Sequence, residues 1–283
     1  MMNLPFEIDL KDKVAVVTGA GGVLCSLFAK AIARCGAKVA LLDLNLEAAA
    51  KFAADITVEG GTAKAYAANV LKKETLLEAR EQIRRDFGTC DILVNGAGGN
   101  NPRATTTNEY YLDGDMEKDI TTFFNLDPAG VEFVFNLNFL GTLIPTQIFA
   151  EDMLGKEDAC ILNVSSMNAF TPLTKIPAYS GAKAAVSNFT QWLAVHFSKA
   201  NIRVNAIAPG FFVTAQNQAL LFDEAGNPTA RTAKILNSTP MGRFGEAEEL
   251  IGSLLFLLSK PAAGFITGVV IPVDGGFSAY SGV

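Results

Sequence analysis

Short apolar segments alternate with longer helix-forming segments from the beginning of the chain to its end. Apolar runs of this length are typical of strands buried on both faces of a parallel sheet. Strict alternation of strands and helices predicts right-handed crossovers and a doubly wound sheet. We therefore expect an α/β fold, a parallel sheet with helices on both faces. The predicted strands are 14–18, 38–43, 63–69, 91–95, 159–166, 202–210 and 268–276.

No internal repeat, low-complexity tract or linker divides the chain, so we expect one domain over residues 1–283. Ligands of such folds bind outside the carboxyl ends of the strands. Two irregular stretches, at about 99–130 and 211–245, follow the fourth and sixth strands and are expected to form substrate walls and a lid. The first predicted helix follows the turn at 19–22 and continues through Ala33 to end near Gly36. The others run over about 46–59, 73–87, 130–153 and 246–259, and through Tyr179 to about Ala200.

Composition excludes several classes of function. With a net charge of -6 and no Lys/Arg run, the chain lacks the basic patch of a nucleic-acid-binding protein. Four cysteines, none in C-x-x-C spacing, indicate reduced thiols in a cytoplasmic protein. The first ten residues lack the basic start and apolar stretch of a signal peptide. No uninterrupted apolar run approaches the ~20 residues that span a membrane, so no membrane partner is expected.

The single histidine, His196, restricts the chemistry further. A Ser-His-Asp triad has only this candidate, and no G-x-S-x-G motif accompanies it. Zinc sites built from several histidines are impossible, and we expect no metal centre. His196 lies in the apolar helical stretch W-L-A-V-H-F-S-K, so we interpret it as a packing or surface histidine.

A tyrosine and a lysine in Y-x-x-x-K spacing carry the clearest chemical signal. Tyr179 and Lys183 share one face of a helix because they are four residues apart. A phenol ionises near pH ~10, and a neighbouring ammonium favours the phenolate. Ser166, which precedes Tyr179, can donate a hydrogen bond to an oxygen that gains or loses a proton. The three residues predict acid–base chemistry on an alcohol; the Tyr/Lys pair alone is more typical of a solvated helix face.

The segment T-G-A-G-G-V-L-C (18–25) connects the first strand to the first helix. Gly19, Gly21 and Gly22 permit a tight turn and close approach of a pyrophosphate to the helix N-terminus. A plain tight turn is the alternative. Asp43 ends the second strand, where its carboxylate can accept from both ribose hydroxyls and repel a 2′-phosphate. No arginine follows it, which favours NAD over NADP, although an aspartate after a strand also initiates turns.

Eight short segments, in this order, resemble the short-chain dehydrogenase/reductase family, and together they span nearly the whole chain. The resemblance implies a single-domain, Rossmann-type fold and an NAD-dependent enzyme that acts on CH–OH groups. The segments are T-G-x-x-x (18–22), Asp43, N-G-A-G (95–98), N-F-L-G (138–141), N-V-S-S (163–166), Y-S-G-A-K (179–183), N-A-I-A-P-G (205–210) with Thr214, and V-D-G-G (273–276).

The resemblance also implies a catalytic tetrad. Tyr179 would be the acid/base, Ser166 would hold the reacting oxygen, and Asn138 would position a water in a proton relay. Lys183 would lower the pKa of Tyr179 and hold the nicotinamide ribose. The implied cofactor contacts are Gly19, Gly21, Gly22, Val23, Leu24, Asp43, Asn69, Val70, Asn95, Ala97, Gly98, Tyr179, Lys183, Pro209, Gly210, Phe212 and Thr214.

The chain departs from the family pattern at three positions. Val23 and Cys25 stand where the family has glycine, and Gly22 is expected to supply the flexibility lost at 23. A thiol is small, so Cys25 is expected to shift the helix slightly and weaken NAD binding without abolishing it. Asn69 replaces an aspartate that contacts the adenine amine, and its carbonyl oxygen can still accept that bond.

The loop segments resemble a narrower group, the D-mannonate oxidoreductases (fructuronate reductases) of this fold. That resemblance implies interconversion of D-mannonate and D-fructuronate with NAD(H). Another sugar acid or polyol, such as gluconate, is the alternative substrate. A catalytically silent NAD-binding regulator is the competing class, and the presence of Ser166, Tyr179 and Lys183 disfavours it. The segments are G-N-N-P-R-A-T-T, T-F-F-N-L-D, F-N-L-N-F-L-G-T-L-I-P-T-Q, T-P-L-T-K-I-P-A-Y-S and P-G-F-F-V-T-A-Q-N.

A sugar acid needs a cation or several donors beyond the tetrad. Arg103 ranks first because its guanidinium matches a carboxylate in a bidentate fork, and Lys175 ranks second. Asn168 and Asn217 could add neutral hydrogen bonds, and the two cations could equally be ordinary surface residues. The family resemblance also implies a homotetramer. Apolar runs at 133–140 and 269–273 could serve its contacts, although a buried core explains them equally well.

Overall fold

The computed structural model describes residues 7–213, 221–222 and 228–282. Seven strands form one parallel sheet in the order β3-β2-β1-β4-β5-β6-β7. This confirms the predicted fold class. The strands are β1 Val14–Thr18, β2 Lys38–Asp43, β3 Thr62–Ala67, β4 Ile92–Asn95, β5 Ala159–Val164, β6 Ile202–Pro209 and β7 Val270–Val273.

Helices cover both faces of the sheet. They are α1 Val23–Arg34, α2 Leu46–Val58, α3 Lys73–Asp86, α4 Pro128–Phe135, α5 Gly141–Phe149, α6 Pro177–His196, α7 Ala230–Asn237, α8 Glu249–Leu258 and α9 Lys260–Ala263. Alternate β1 side chains enter two separate cores: Ala15 and Val17 pack with α1, α2 and α8, whereas Val14 and Val16 pack with α3, α5 and α6. Because both faces of the sheet are buried, the strands carry apolar residues at consecutive positions and not only at every second one.

The strand order reverses between β1 and β4: β2 and β3 lie on one side of β1, and β4 to β7 lie on the other. Val17 of β1 lies beside Leu41 of β2 on one side and Val94 of β4 on the other. In doubly wound sheets this point opens a crevice at the carboxyl edge of the strands, where ligands bind. The ends of β1, β2, β4, β5 and β6 therefore position the candidate site.

Strands β3 to β7 are each shorter than the sequence predicts, and β7 and β3 show the physical reason. β7 covers Val270–Val273, not 268–276, because Gly268 (φ +83) and Gly275 (φ +63) lie in the left-handed region at its two ends. β3 ends at Ala67, because Asn69 accepts hydrogen bonds from the following turn. In both cases the chain leaves the sheet where turn geometry begins.

The predicted helix at 130–153 is interrupted by a π-helical segment, Asn136–Leu140, between α4 and α5. Such segments are rare and concentrate at functional sites. By length and mean hydropathy, the helical stretch Pro128–Met153 could cross a membrane, yet half of its most apolar window is buried inside the protein. Core helices pass the same test, so the apolar character of this stretch is explained by packing.

Candidate active site

The turn between β1 and α1 brings the main chain close to two neighbouring segments. Gly19 adopts φ +68, and a Cβ atom there would lie 2.8 Å from Cα of Ala97. At Gly21 a Cβ atom would lie 2.9 Å from Cγ of Asp43. Only glycine fits both positions. The turn therefore exposes main chain that a pyrophosphate can approach closely.

Helix α1 begins without a side-chain cap. Gly22 is the N-cap residue, and no described side chain accepts from the first amides of the helix. Val23 and Leu24, both half-buried, form the first turn. Free amides at the positive end of a helix dipole attract anions. This N-terminus fits the pyrophosphate of a dinucleotide.

Cys25 is buried in the first turn of α1, and its side chain faces the loop after β4. A Cβ atom at Gly96 would lie 2.1 Å from Sγ of Cys25. Burial raises the pKa of the Cys25 thiol to about 12, so the thiol is neutral near pH 7. The sulfur fits between helix and strand because residue 96 has no side chain. The chain thus tolerates a cysteine where the family has glycine.

The carboxylate of Asp43 lies at the end of β2, beside the glycine turn. Its Oδ2 accepts from the N–H of Gly21 at 2.8 Å, and its Oδ1 accepts from the N–H of Asn45 at 2.8 Å. A carboxylate offers about four acceptor positions, so ribose hydroxyls can still bind. Its negative charge repels a 2′-phosphate. Leu44, which follows, is 77% exposed and offers an apolar surface next to this position.

Asn69 and Val70 follow β3 at the same edge. The Oδ1 of Asn69 accepts from the N–H of Leu71 at 2.9 Å, and Val70 is buried against Gly141. An amide oxygen has two lone pairs, so one remains for an adenine amine. The described hydrogen bonds of Asn69 are therefore compatible with its predicted role.

The N-G-A-G loop after β4 is held by a hydroxyl that the sequence analysis overlooked. Oγ1 of Thr18 accepts from the N–H groups of Gly96 and Ala97 at 3.1 and 3.3 Å. Asn95 lies beneath the loop, where its amide donates at 2.9 Å to Thr146 and at 2.9 Å to Asn163. Asn95 therefore links β4 to β5 and α5 and supports the loop from below.

Gly98 allows two members of the predicted tetrad to approach the same point. A Cβ atom at Gly98 would lie 2.6 Å from Oδ1 of Asn138 and 3.1 Å from Nζ of Lys183. Asn138 is fully buried in the π-helical segment. Its amide donates at 2.8 Å to the carbonyl of Gly99 and at 2.8 Å to that of Val134. The Asn138 side chain thus joins its own helical stretch to the loop after β4.

Tyr179 and Lys183 lie on one face of α6, as predicted. Nζ of Lys183 is 5.7 Å from the centroid of the Tyr179 ring and donates to the carbonyl of Val164 at 2.8 Å. Burial lowers the pKa of Lys183 to about 8. Burial also raises the pKa of Tyr179, and a hydrogen bond with Ser166 opposes that rise. Ser166 therefore opposes the rise in the pKa of Tyr179, while the ammonium of Lys183 is directed to a main-chain carbonyl. The predicted lowering of the Tyr179 pKa by Lys183 stays a prediction.

These four side chains form one constellation at the carboxyl edge of β4 and β5. Ser166 and Tyr179 present two hydroxyl groups that can share the oxygen of an alcohol or ketone substrate. Tyr179 can exchange the proton of that oxygen. Asn138 and Lys183 both lie close to Gly98, and their part in a proton relay stays a prediction. A bound nicotinamide supplies hydride transfer, which is the chemistry of the cofactor. The arrangement suits oxidation of a secondary alcohol and its reverse.

The end of β6 closes the other side of the crevice. A Cβ atom at Gly210 would lie 2.6 Å from Cα of Asp274, so the V-D-G-G segment requires glycine here. Pro209 ends β6, and Phe212 is buried against Gly245. Thr214, predicted to contact the cofactor, lies outside the described residues, as does Asn217, a predicted substrate ligand.

The remaining substrate candidates occupy different environments. The guanidinium of Arg103 pairs through Nε and Nη2 with Asp127, the N-cap residue of α4. That pairing engages two of the three guanidinium nitrogens, and the predicted role of Arg103 towards a substrate carboxylate stays a prediction. Lys175, in contrast, makes no ion pair or hydrogen bond through its ammonium within the described part of the chain. Asn168 is 4% exposed, and its Oδ1 has no described partner.

Asp127 could have been found from sequence, because an aspartate before Pro128 is a typical helix start. Glu109 has no such local signal. Both of its carboxylate oxygens accept from Nζ of Lys234 in α7, at 2.8 and 2.9 Å. This ion pair joins the stretch after β4 to the stretch after β6.

Comparison with known proteins decides the family. The family model for short chain dehydrogenases matches residues 13–225. The chain belongs to this family. A Haemophilus influenzae oxidoreductase of uncharacterised activity is 65% identical over 282 residues, which cover 100% of this chain and 99% of that protein. Gluconate 5-dehydrogenase of Gluconobacter oxydans is 31% identical, covering 98% of this chain and 99% of that enzyme.

A solved structure extends the comparison to the cofactor. A Haemophilus influenza protein, described as a proposed D-mannonate oxidoreductase with bound NAD, matches with a TM-score of 0.95 and 65% identity. The match covers 99% of this chain and 100% of that one. Together with the carboxylate at Asp43 and the uncapped start of α1, these findings identify an NAD-dependent oxidoreductase that acts on CH–OH groups.

Proposed function

We propose that this dehydrogenase interconverts D-mannonate and D-fructuronate with NAD(H). The observation that carries the proposal is the 65% identity, at a TM-score of 0.95, to the protein described as a proposed D-mannonate oxidoreductase. The tetrad supports it chemically, because Ser166 and Tyr179 can hold and deprotonate a carbinol group. In the forward direction Tyr179 takes the alcohol proton while the C–H hydride passes to NAD.

We further propose that the stretches at about 99–130 and 211–245 form the substrate walls and lid. The ion pair between Glu109 and Lys234 supports this, because it joins one stretch to the other. Both stretches follow strands at the edge that carries the tetrad.

The test is a panel of hexonates with NAD and NADP, and of ketohexuronates with NADH and NADPH, followed by absorbance at 340 nm. D-mannonate and D-fructuronate are expected to give the highest kcat/KM, with the NAD(H) pair preferred. A higher kcat/KM for another sugar acid would show that D-mannonate is not the preferred substrate, while the reaction class would still hold. Gluconate is the alternative to include first, because the Gluconobacter oxydans relative is a gluconate 5-dehydrogenase. A catalytically silent regulator, the other class considered, would turn over no member of the panel.

We also propose that the protein is a cytoplasmic homotetramer. Phe133 and Leu140 of the predicted contact run at 133–140 are 44% and 36% exposed, and Trp192 and Val195 of α6 are 56% and 77% exposed. Such a concentration of exposed apolar side chains is typical of subunit contacts. Light scattering should give four times the chain mass, and a stable monomer would contradict the assembly.

A further inference from the structure

We propose that Lys175 binds the carboxylate of the sugar-acid substrate and that Asn168 accepts a hydrogen bond from one of its hydroxyl groups. This assignment rests on the proposed function, because it concerns how that substrate is held. Both residues lie in the loop between β5 and α6, which also carries Ser166 and leads into Tyr179.

The main chain of Lys175 adopts a conformation that its residue type disfavours. Among the described residues, three that are not glycine have positive φ: Asp12 (+64), Lys175 (+70) and Asn201 (+58). Aspartate and asparagine adopt this region readily, since their short side chains can hydrogen-bond locally. Lysine has no such compensation, and strain of this kind concentrates at functional sites.

The surrounding contacts fix this conformation. The carbonyl of Lys175 accepts from the N–H of Thr106 at 2.9 Å, which ties the loop to the stretch after β4. Pro177 begins α6 two residues later, and Tyr179 follows within the first turn. The strained residue is therefore attached directly to the helix end that carries the acid/base.

The ammonium of Lys175 forms no ion pair with any described residue. Glu109 is close enough for Lys175 to lower its pKa, but a hydrogen bond from Lys234 is the larger cause. Lys234 donates to both oxygens of Glu109. Lys175 is half-buried, and its ammonium makes no hydrogen bond within the part of the chain that the structure describes. A half-buried cation beside a catalytic helix is suited to a substrate carboxylate.

Asn168 supplies a buried neutral acceptor two residues after Ser166. The main-chain N–H of Asn168 donates to Oγ of Ser166 at 3.3 Å. The short helical turn that contains it, Met167–Ala169, packs against α6. Its Oδ1 is buried without a partner. An unsatisfied buried acceptor destabilises a protein, and such groups call for an explanation. A sugar hydroxyl donating to this oxygen would satisfy it.

The experiment compares D-mannonate with D-mannonamide, a neutral amide of the same shape, in the intact enzyme with saturating NAD. Wild type is expected to favour the acid at least tenfold in kcat/KM. Lys175→Met should reduce that preference to nearly one by raising KM for the acid, and Lys175→Arg should restore most of it. The matched control is Lys199→Met, an exposed lysine at the far end of α6, which should retain the wild-type preference.

Asn168→Ala has a different expected signature. It should raise KM for the acid and for the amide alike, by the roughly 2–10-fold that one hydrogen bond is worth. The preference for the acid should stay unchanged. A KM unaltered for both substrates would overturn the role of Asn168.

Lys175→Gly separates binding from folding, because glycine adopts positive φ without strain. Its Tm should rise by about 2–4 °C, while its preference for the acid should be lost. A fall in Tm would show that Lys175 is a structural residue.

If wild type prefers the acid and Lys175→Met keeps that preference, this inference is wrong while the proposed function stands. If wild type turns over no sugar acid, the proposed function is wrong, and this inference with it.

Discussion

The two sides of the active-site crevice are built in different ways. On the cofactor side, Gly19 and Gly21 are set by main-chain contacts with Ala97 and Asp43, at distances that leave no room for a side chain. On the proposed substrate side, distant segments also meet through charged side chains, as in the ion pairs Arg103–Asp127 and Glu109–Lys234.

This difference explains what each side can specify. A main-chain cradle recognises the diphosphate and ribose groups that every dinucleotide shares, and the charge of Asp43 then selects between NAD and NADP. Side chains that pair across loops leave particular groups unpaired, and those groups recognise the variable part of a ligand. Lys175 and Asn168 are such groups. Cofactor choice and substrate choice should therefore respond to separate sets of mutations.

Tyr179→Phe should have the largest effect. It deletes the proton-transfer group that both sides serve, so turnover should fall by about 10²–10⁴-fold. NADH binding, measured by fluorescence titration, should stay within a few-fold of wild type because the cradle is unchanged. Near-normal turnover would remove Tyr179 from the mechanism.

Asp43→Ala should affect only the cofactor side. Removal of the carboxylate abolishes repulsion of a 2′-phosphate, so the preference for NADH over NADPH should fall roughly tenfold or more. KM for the sugar acid should not change. A wild-type enzyme that used both cofactors equally well would contradict the role assigned to Asp43.

Gly96→Ala tests the steric character of the same side. The added methyl group would meet Sγ of Cys25, and overpacking of this kind costs about 1–3 kcal/mol of the free energy of unfolding. Cys25→Ala in the same chain should recover most of the loss, which a double-mutant cycle measures as coupling. Additive losses would show that the two residues do not compete for one space.

Lys183→Met should have the smallest effect, which is a change in the pH dependence of stability. Burial lowers the pKa of Lys183 to about 8 from 10.5 in the unfolded chain, so the unfolded state binds more protons between these values. The contribution of Lys183 to stability is therefore low below pH 8 and rises towards pH 10.5. Without cofactor, the Tm of wild type minus that of Lys183→Met should increase from pH 7.5 to 9.5. A constant or decreasing difference would contradict the burial of this ammonium.

The conformation of the cofactor side could be predicted from sequence because its signals are local, whereas the roles of its residues stay predictions. Glycines next to a strand end, Asp43 at the next strand end and the spacing from Tyr179 to Lys183 all act within short segments. The contacts of the proposed substrate side could be predicted less well. Arg103 ranked first from the shape of its guanidinium, but its partner Asp127 is 24 residues away and no local pattern joins them.

Backbone conformation was the other missing information. Nothing in T-K-I-P-A-Y indicates that Lys175 adopts positive φ, since lysine rarely does. The π-helical segment around Asn138 was likewise predicted as ordinary helix, because its apolar residues fit both kinds of turn. Tertiary contacts imposed both conformations, and both lie at the proposed site.

The most direct test of the account is the fate of the hydride. NADH carrying deuterium at the transferred position is incubated with D-fructuronate and the enzyme, and the product is analysed by mass spectrometry and NMR. The account predicts D-mannonate with one deuterium atom at the carbon that was the ketone. D-mannonate without deuterium would contradict direct hydride transfer, and a failure to form D-mannonate would contradict the proposed substrate.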